Sequence, residues 1–121
     1  MFDVLEDLNK TSGVTGSMLV GRDGIVIAAD LQAAMEDEAL GALAASITAN
    51  VQKSLGRLGQ PDPQQITIEA ESTKLFLTDC ETGVLVVVTE KDANLGLVRL
   101  EMRNARQKLG VPTGLGAETQ G

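Results

Sequence analysis

The residues able to do chemistry in this chain of 121 residues are few, and their spacing decides what they can be for. There is no histidine, so the side chain that most often serves as general base near neutral pH, and most often ligates a metal, is missing. Ser12, Ser17, Ser46, Ser54 and Ser72 sit in no Gly-x-Ser-x-Gly elbow. A Ser–Lys pair stays open, with nothing in the sequence to indicate one. The lone Cys80 stands between Asp79 and Glu81, whose charges raise its pKa and make a poor thiolate; Cys80-Glu81-Thr82-Gly83 reads as a turn. Gly16 and Gly21 have the spacing of the outer glycines of a phosphate loop, but Arg22-Asp23 stands where Lys-Ser/Thr is required. Both also fall within a hairpin and not ahead of a helix. The sequence therefore predicts no catalytic residue and no cofactor.

Charged residues are the remaining candidates. Glu69 and Glu71 share one face of a strand, with Asp79 and Glu81 near the end of its neighbour. Paired carboxylates can do acid–base work or hold Mg²⁺ or Ca²⁺. No Asp-x-Asp-x-Asp-Gly loop occurs, and a solvated strand face that discourages unwanted pairing is the favoured alternative; no metal is predicted. Arg99, Arg103 and Arg106 fall at i, i+4 and i+7, on one face of a final helix. With Lys108 against Glu101 that helix carries +3, which leaves −10 for the rest of a chain of net charge −7. The arginines either favour a helix C-terminus from a solvated face, pair with the acidic body of the same chain, or meet an acidic partner.

Composition narrows the classes further. The acidic balance argues against nucleic acid or an anionic membrane as the main partner. Two Phe and no Trp or Tyr leave little to stack on a base, sugar or flavin. A single cysteine excludes an intramolecular disulfide framework and fits a reducing cytoplasm. No apolar run approaches the roughly 20 residues of a membrane span, and no signal-peptide pattern opens the chain. The length and the 43% apolar, 22% charged composition fit one soluble globular domain.

These residues need elements to place them. Arg22-Asp23-Gly24 lies between two short apolar runs, and the Asp-Gly pair suits a tight hairpin turn, spanning about Gly16 to Ala29. Before it, Phe2, Leu5 and Leu8 give a short amphipathic helix over residues 1–10. After a connection over residues 30–36, the longest helical pattern runs from Asp37 to Leu58. Its leucine stripe (Leu40, Leu43, Ala44, Ile47, Val51, Leu55, Leu58) is expected to face the sheet. Ala42, Ala45, Ala49 and Gly56 lie on the opposite side. Alanine is a good helix former, but small residues there also permit close approach of a helix from another chain. Strands follow at Gln65–Glu71, Lys74–Asp79 and Val84–Val88. The last is an unbroken apolar run and should be central, covered on both faces. Asn94 caps a final helix with Leu95, Val98, Met102, Ala105 and Leu109 inward.

The order gives an α+β fold, an α/β/α sandwich with a five-stranded antiparallel sheet. The long helix takes one face, and the N- and C-terminal helices take the other. Here the chain resembles the Roadblock family of dynein light-chain-like domains, which also occurs in bacteria and archaea. The resemblance covers about residues 1–110 and rests on Val14-Thr15-Gly16-Ser17-Met18-Leu19-Val20, Arg22-Asp23-Gly24, the small-residue helix and Leu95-Gly96-Leu97-Val98-Arg99. Residues 111–121 fall outside it and read as a flexible tail. The resemblance implies a profilin-like Roadblock architecture and a cytoplasmic, non-catalytic homodimer, or a heterodimer with a paralogue, that regulates or scaffolds a Ras-like small GTPase. In that dimer the long helices and third strands meet, which adds Thr67, Glu69 and Glu71 to Ala42, Ala45, Ala49 and Gly56. Partner contacts are expected at Arg22 and Asp23 on the hairpin tip and at Arg99, Arg103 and Arg106. A small-ligand sensor or accessory domain of another signalling protein is the alternative.

Overall fold

A computed structural model describes residues 2–32 and 35–110, so the expected tail over 111–121 lies outside the described residues. The elements run α1 (Phe2–Asn9), β1 (Val14–Val20), β2 (Val26–Asp30), α2 (Asp37–Arg57), β3 (Ile66–Glu69), β4 (Thr73–Cys80), β5 (Gly83–Glu90) and α3 (Leu95–Leu109). The strands form one antiparallel sheet in the order β2-β1-β5-β4-β3. The element order is the one the sequence predicts.

Period-two alternation assigns each strand residue to a layer. On one face Leu19, Phe76, Leu85 and Val87 pack with Val4, Leu5 and Leu8 of α1 and Val98, Met102 and Ala105 of α3. On the other, Met18, Val20, Leu77, Val84 and Val86 pack with Ala44 of α2. Strand β5 is central and buried on both faces, as its unbroken apolar run requires. Asn94 caps α3, its Oδ1 accepting from the Leu97 amide at 3.0 Å. Gly24 has φ 88°, which the turn between β1 and β2 demands.

The long helix is seated differently from the expectation. Its buried residues are Gly41, Ala44, Ala45 and Thr48, so it is rotated by about a quarter turn from the leucine stripe towards the small residues. Leu43 is left 49% exposed and Leu58 73%. The cause is close approach: a Cβ on Gly41 would stand 3.2 Å from the Gly24 carbonyl oxygen and 3.2 Å from Val26 Cγ2. Only a face of small residues fits beneath the hairpin turn, and the bulk in this layer comes from the sheet.

Candidate functional site

Two surfaces result from this packing. The first is an open apolar face. Helix α2 packs on β1, β2 and β5, and a helix about 10 Å wide cannot cover five strands spaced about 4.8 Å apart. Beyond its leucine side lies a groove of about 390 Å³ lined by Met35, Ala39, Leu40, Leu43, Leu75 and Val88. Ile66 and Ile68 of β3 are only half-buried on the same layer. Strand β3 ends the sheet, so among the described residues its outer backbone edge is unpaired.

The second is a basic cleft on the α3 side. Arg99, Arg103 and Arg106 form one wall of a space of about 520 Å³. Gln64 and Gln65, in the segment leading into β3, form the other, with Thr78 and Met102 between. Arg106 is fixed by its Nε, which donates to the Asp79 carbonyl at 2.8 Å. Arg99 reaches Thr67 Oγ1 only at 3.5 Å. Among the described residues none of the three is ion-paired; the salt bridges involve Lys10, Arg22 and Lys108.

The predicted interface residues divide. Ala42, Ala49 and Gly56 are exposed on α2, but Ala45 is 8% exposed, turned inward towards the hairpin at Gly24. Thr67 and Glu69 lie on edge strand β3, and Glu71 follows it, exposed. Glu69 stands opposite Lys74 in the strand register. Among the described residues no group of three His, Cys, Asp or Glu side chains is placed to hold a metal.

At the hairpin tip, Asp23 Oδ1 accepts from the Ile25 amide at 3.0 Å and so serves the turn itself. Arg22 does not project freely. Its Nη2 donates to Asp79 Oδ1 and to the Cys80 carbonyl, both at 2.8 Å, tying the tip to the β4–β5 turn. Nothing in the sequence links Arg22 to Asp79, 57 residues on; only the sheet order brings them together.

Cys80 is the last residue of β4, paired with Gly83 and fully buried, so it is not the turn residue expected. Its thiol pKa is raised chiefly by burial, with Asp79 a lesser contributor, which reverses the weight expected of the flanking carboxylates. Ser17 is a buried anchor, its hydroxyl donating to Asn9 Oδ1 at 2.9 Å. Asn9 in turn donates to the Asp30 carbonyl, holding α1 to β1 and β2. Among the described residues no helix is long and apolar enough to cross a membrane.

Comparison with known proteins places this geometry among relatives. The Roadblock/LC7 domain profile matches residues 2–90. An uncharacterised protein of Methanocaldococcus jannaschii is 40% identical over 106 residues, covering 88% of this chain and 93% of its own. Among solved structures, Myxococcus xanthus MglB has a TM-score of 0.83 at 26% identity, over 88% of this chain and 82% of that one. A structure described as MglB with tetrameric arrangement gives 0.79 at 27%, over 89% and 83%. Profilin II of Acanthamoeba castellanii shares the fold, with TM-score 0.59 at 17% identity over 80% and 85%.

Proposed function

Because the chain belongs to the Roadblock/LC7 domain family, we propose that it is a non-catalytic, dimeric regulatory or scaffold module that binds a Ras-like small GTPase in the cytoplasm. The observation that carries the self-association is the exposed leucine side of α2 beside an unpaired β3 edge. A second copy meets both at once. Its β3 pairs edge to edge, running through Thr67 and Glu69, while its α2 covers Leu43 and the groove behind it. On the opposite flank of α2, the exposed Ala42, Ala49 and Gly56 leave a second surface open to close helix approach. The tetrameric arrangement described for MglB supports self-association of this fold.

The two-copy assembly offers a composite face on which a GTPase can dock, biasing its switch loops towards one state. The contact proposed for it is the α3 face bearing Arg99, Arg103 and Arg106, the basic surface on an acidic body. Arg22 is a poorer candidate for insertion into a GTPase site, because it would first have to leave Asp79 and the Cys80 carbonyl.

The test has two stages. Sedimentation velocity of the purified chain should show a dimer, and a monomer at every concentration up to about 100 μM, a generous limit for a working dimer, ends the proposal's first half. Ras-like GTPases from the same genome, loaded with GDP or a non-hydrolysable GTP analogue, are then titrated against it. Binding that prefers one nucleotide state is expected, and weakening of that binding by added salt would fit the arginine face. Absence of binding to any of them ends the second half. A small-ligand sensor is the second reading, favoured by the cleft behind those arginines.

A further inference from the structure

We propose that the cleft between α3 and the segment leading into β3 binds a small molecule carrying a diphosphate, or two neighbouring phosphate groups. A solvated arginine stripe would stand clear of its surroundings. Here all three arginines, Arg99 and Arg103 exposed and Arg106 half-buried, line one open concave space of about 520 Å³, within the range of small-ligand sites. The positions i, i+4 and i+7 spread them over about 10 Å of helix, a span that brackets two linked phosphates better than one carboxylate.

Three observations indicate that the donors are underused. Among the described residues no carboxylate pairs with Arg99, Arg103 or Arg106. The Arg99–Thr67 contact at 3.5 Å is at the limit of a hydrogen bond. Among the described residues Gln65, opposite, donates its side-chain amide only to the Met102 sulfur at 3.4 Å, a weak acceptor that an oxygen would displace. Arg106 is already oriented through its Nε, which leaves its two terminal nitrogens to meet a ligand at no further ordering cost. Guanidinium forks match phosphate oxygens in pairs. Three uncompensated cations call for a ligand of charge near −3, which a pyrophosphate group supplies and a single carboxylate does not. Among the described residues no aromatic side chain lines the cleft, so recognition rests on the phosphates and not on a base.

The inference shares the arginines with the proposed docking surface but does not need the GTPase. Isothermal titration calorimetry with the full chain and no GTPase uses sodium pyrophosphate as probe, with succinate as a dicarboxylate comparison at matched ionic strength. One pyrophosphate per chain is expected, bound at least tenfold more tightly than succinate. The double variant Arg99→Gln/Arg103→Gln should weaken it at least tenfold, while Arg57→Gln, at an exposed position on α2 away from the cleft, leaves it unchanged. Backbone amide shifts in the wild type, mapped by NMR, should concentrate on residues 64–67 and 99–106. This second readout holds even if the double variant folds poorly. No binding at 10 mM pyrophosphate, where a site of practical strength would be filled, overturns the inference, as does equal affinity for succinate or shifts centred elsewhere. Because the titration contains no GTPase, its failure leaves the docking proposal standing.

Discussion

Two glycines of α2 provide a matched test of how the helix is seated. Gly41→Ala and Gly56→Ala both relieve the helix of a glycine, a gain of about 1 kcal/mol in an exposed setting. Gly56 has nothing within 4 Å of an added Cβ, so that gain should appear almost whole. At Gly41 the Cβ meets the Gly24 carbonyl oxygen and Val26 Cγ2 at 3.2 Å and Val20 Cγ1 at 3.5 Å. One of these neighbours is backbone in a tight turn and gives way poorly. Overpacking of this kind costs about 1–3 kcal/mol, which offsets or exceeds the propensity gain. The two variants should therefore differ by at least about 1 kcal/mol, a few degrees in Tm for a domain of this size. Urea unfolding followed by circular dichroism reads the difference. Melts at two protein concentrations separate folding from association, because Gly56 is also a proposed interface residue. Equal stabilisation by both would refute the seating of α2 beneath the hairpin turn.

Gly24→Val should lower the urea midpoint by more than about 1 kcal/mol equivalent, since φ is 88° there, and Gly24→Asn should cost less. Leu43→Glu should yield a folded monomer by sedimentation and circular dichroism. Ala45→Glu should instead unfold the chain, because it buries a charge within a single copy; identical behaviour of the two would sink the division of α2 into an inward and an outward side. The raised thiol pKa of Cys80 makes the unfolded chain lose its proton first as pH rises. That contribution to stability is whole below the ordinary thiol value of 9.0 and declines above it. Cys80→Ala should flatten the alkaline limb of a stability–pH profile, and an unchanged limb would assign it to other groups.

Periodicity made the strands and helices legible because each buries a face with a fixed repeat. The alternation of Leu75, Phe76 and Leu77 assigned Phe76 to the layer of α1 and α3 and the two leucines to the layer of α2 correctly. The rotation of α2 was not legible, since Leu43 and Leu58 look like core residues until the hairpin turn decides which side can approach. The roles of Arg22 and Cys80 were hidden for a related reason. The Arg22–Asp79 ion pair joins turns far apart in sequence, and Cys80 is buried by a strand pairing that extends past the Asp79 boundary expected for β4. The arginines of α3 were visible as a stripe, but their concave setting depends on Gln64 and Gln65 crossing in front of them.

The sheet order has a consequence for how the chain comes to be folded at all. Strands β1 and β2 form a local hairpin, as do β3 and β4, but nothing joins the two until β5 enters between them. The register Val14 with Thr89 and Val20 with Val84 closes loops of more than 60 residues, for which a flexible chain loses roughly 4 kcal/mol of entropy. During synthesis the inner edges of β1 and β4 stay open until residues 83–90 have left the ribosome, and both edges are apolar. The time between those events is when the chain is most exposed to wrong pairing. Substitutions in β5 should accordingly slow folding, and weakening the β1–β2 turn, which forms before β5 arrives, should slow it as well.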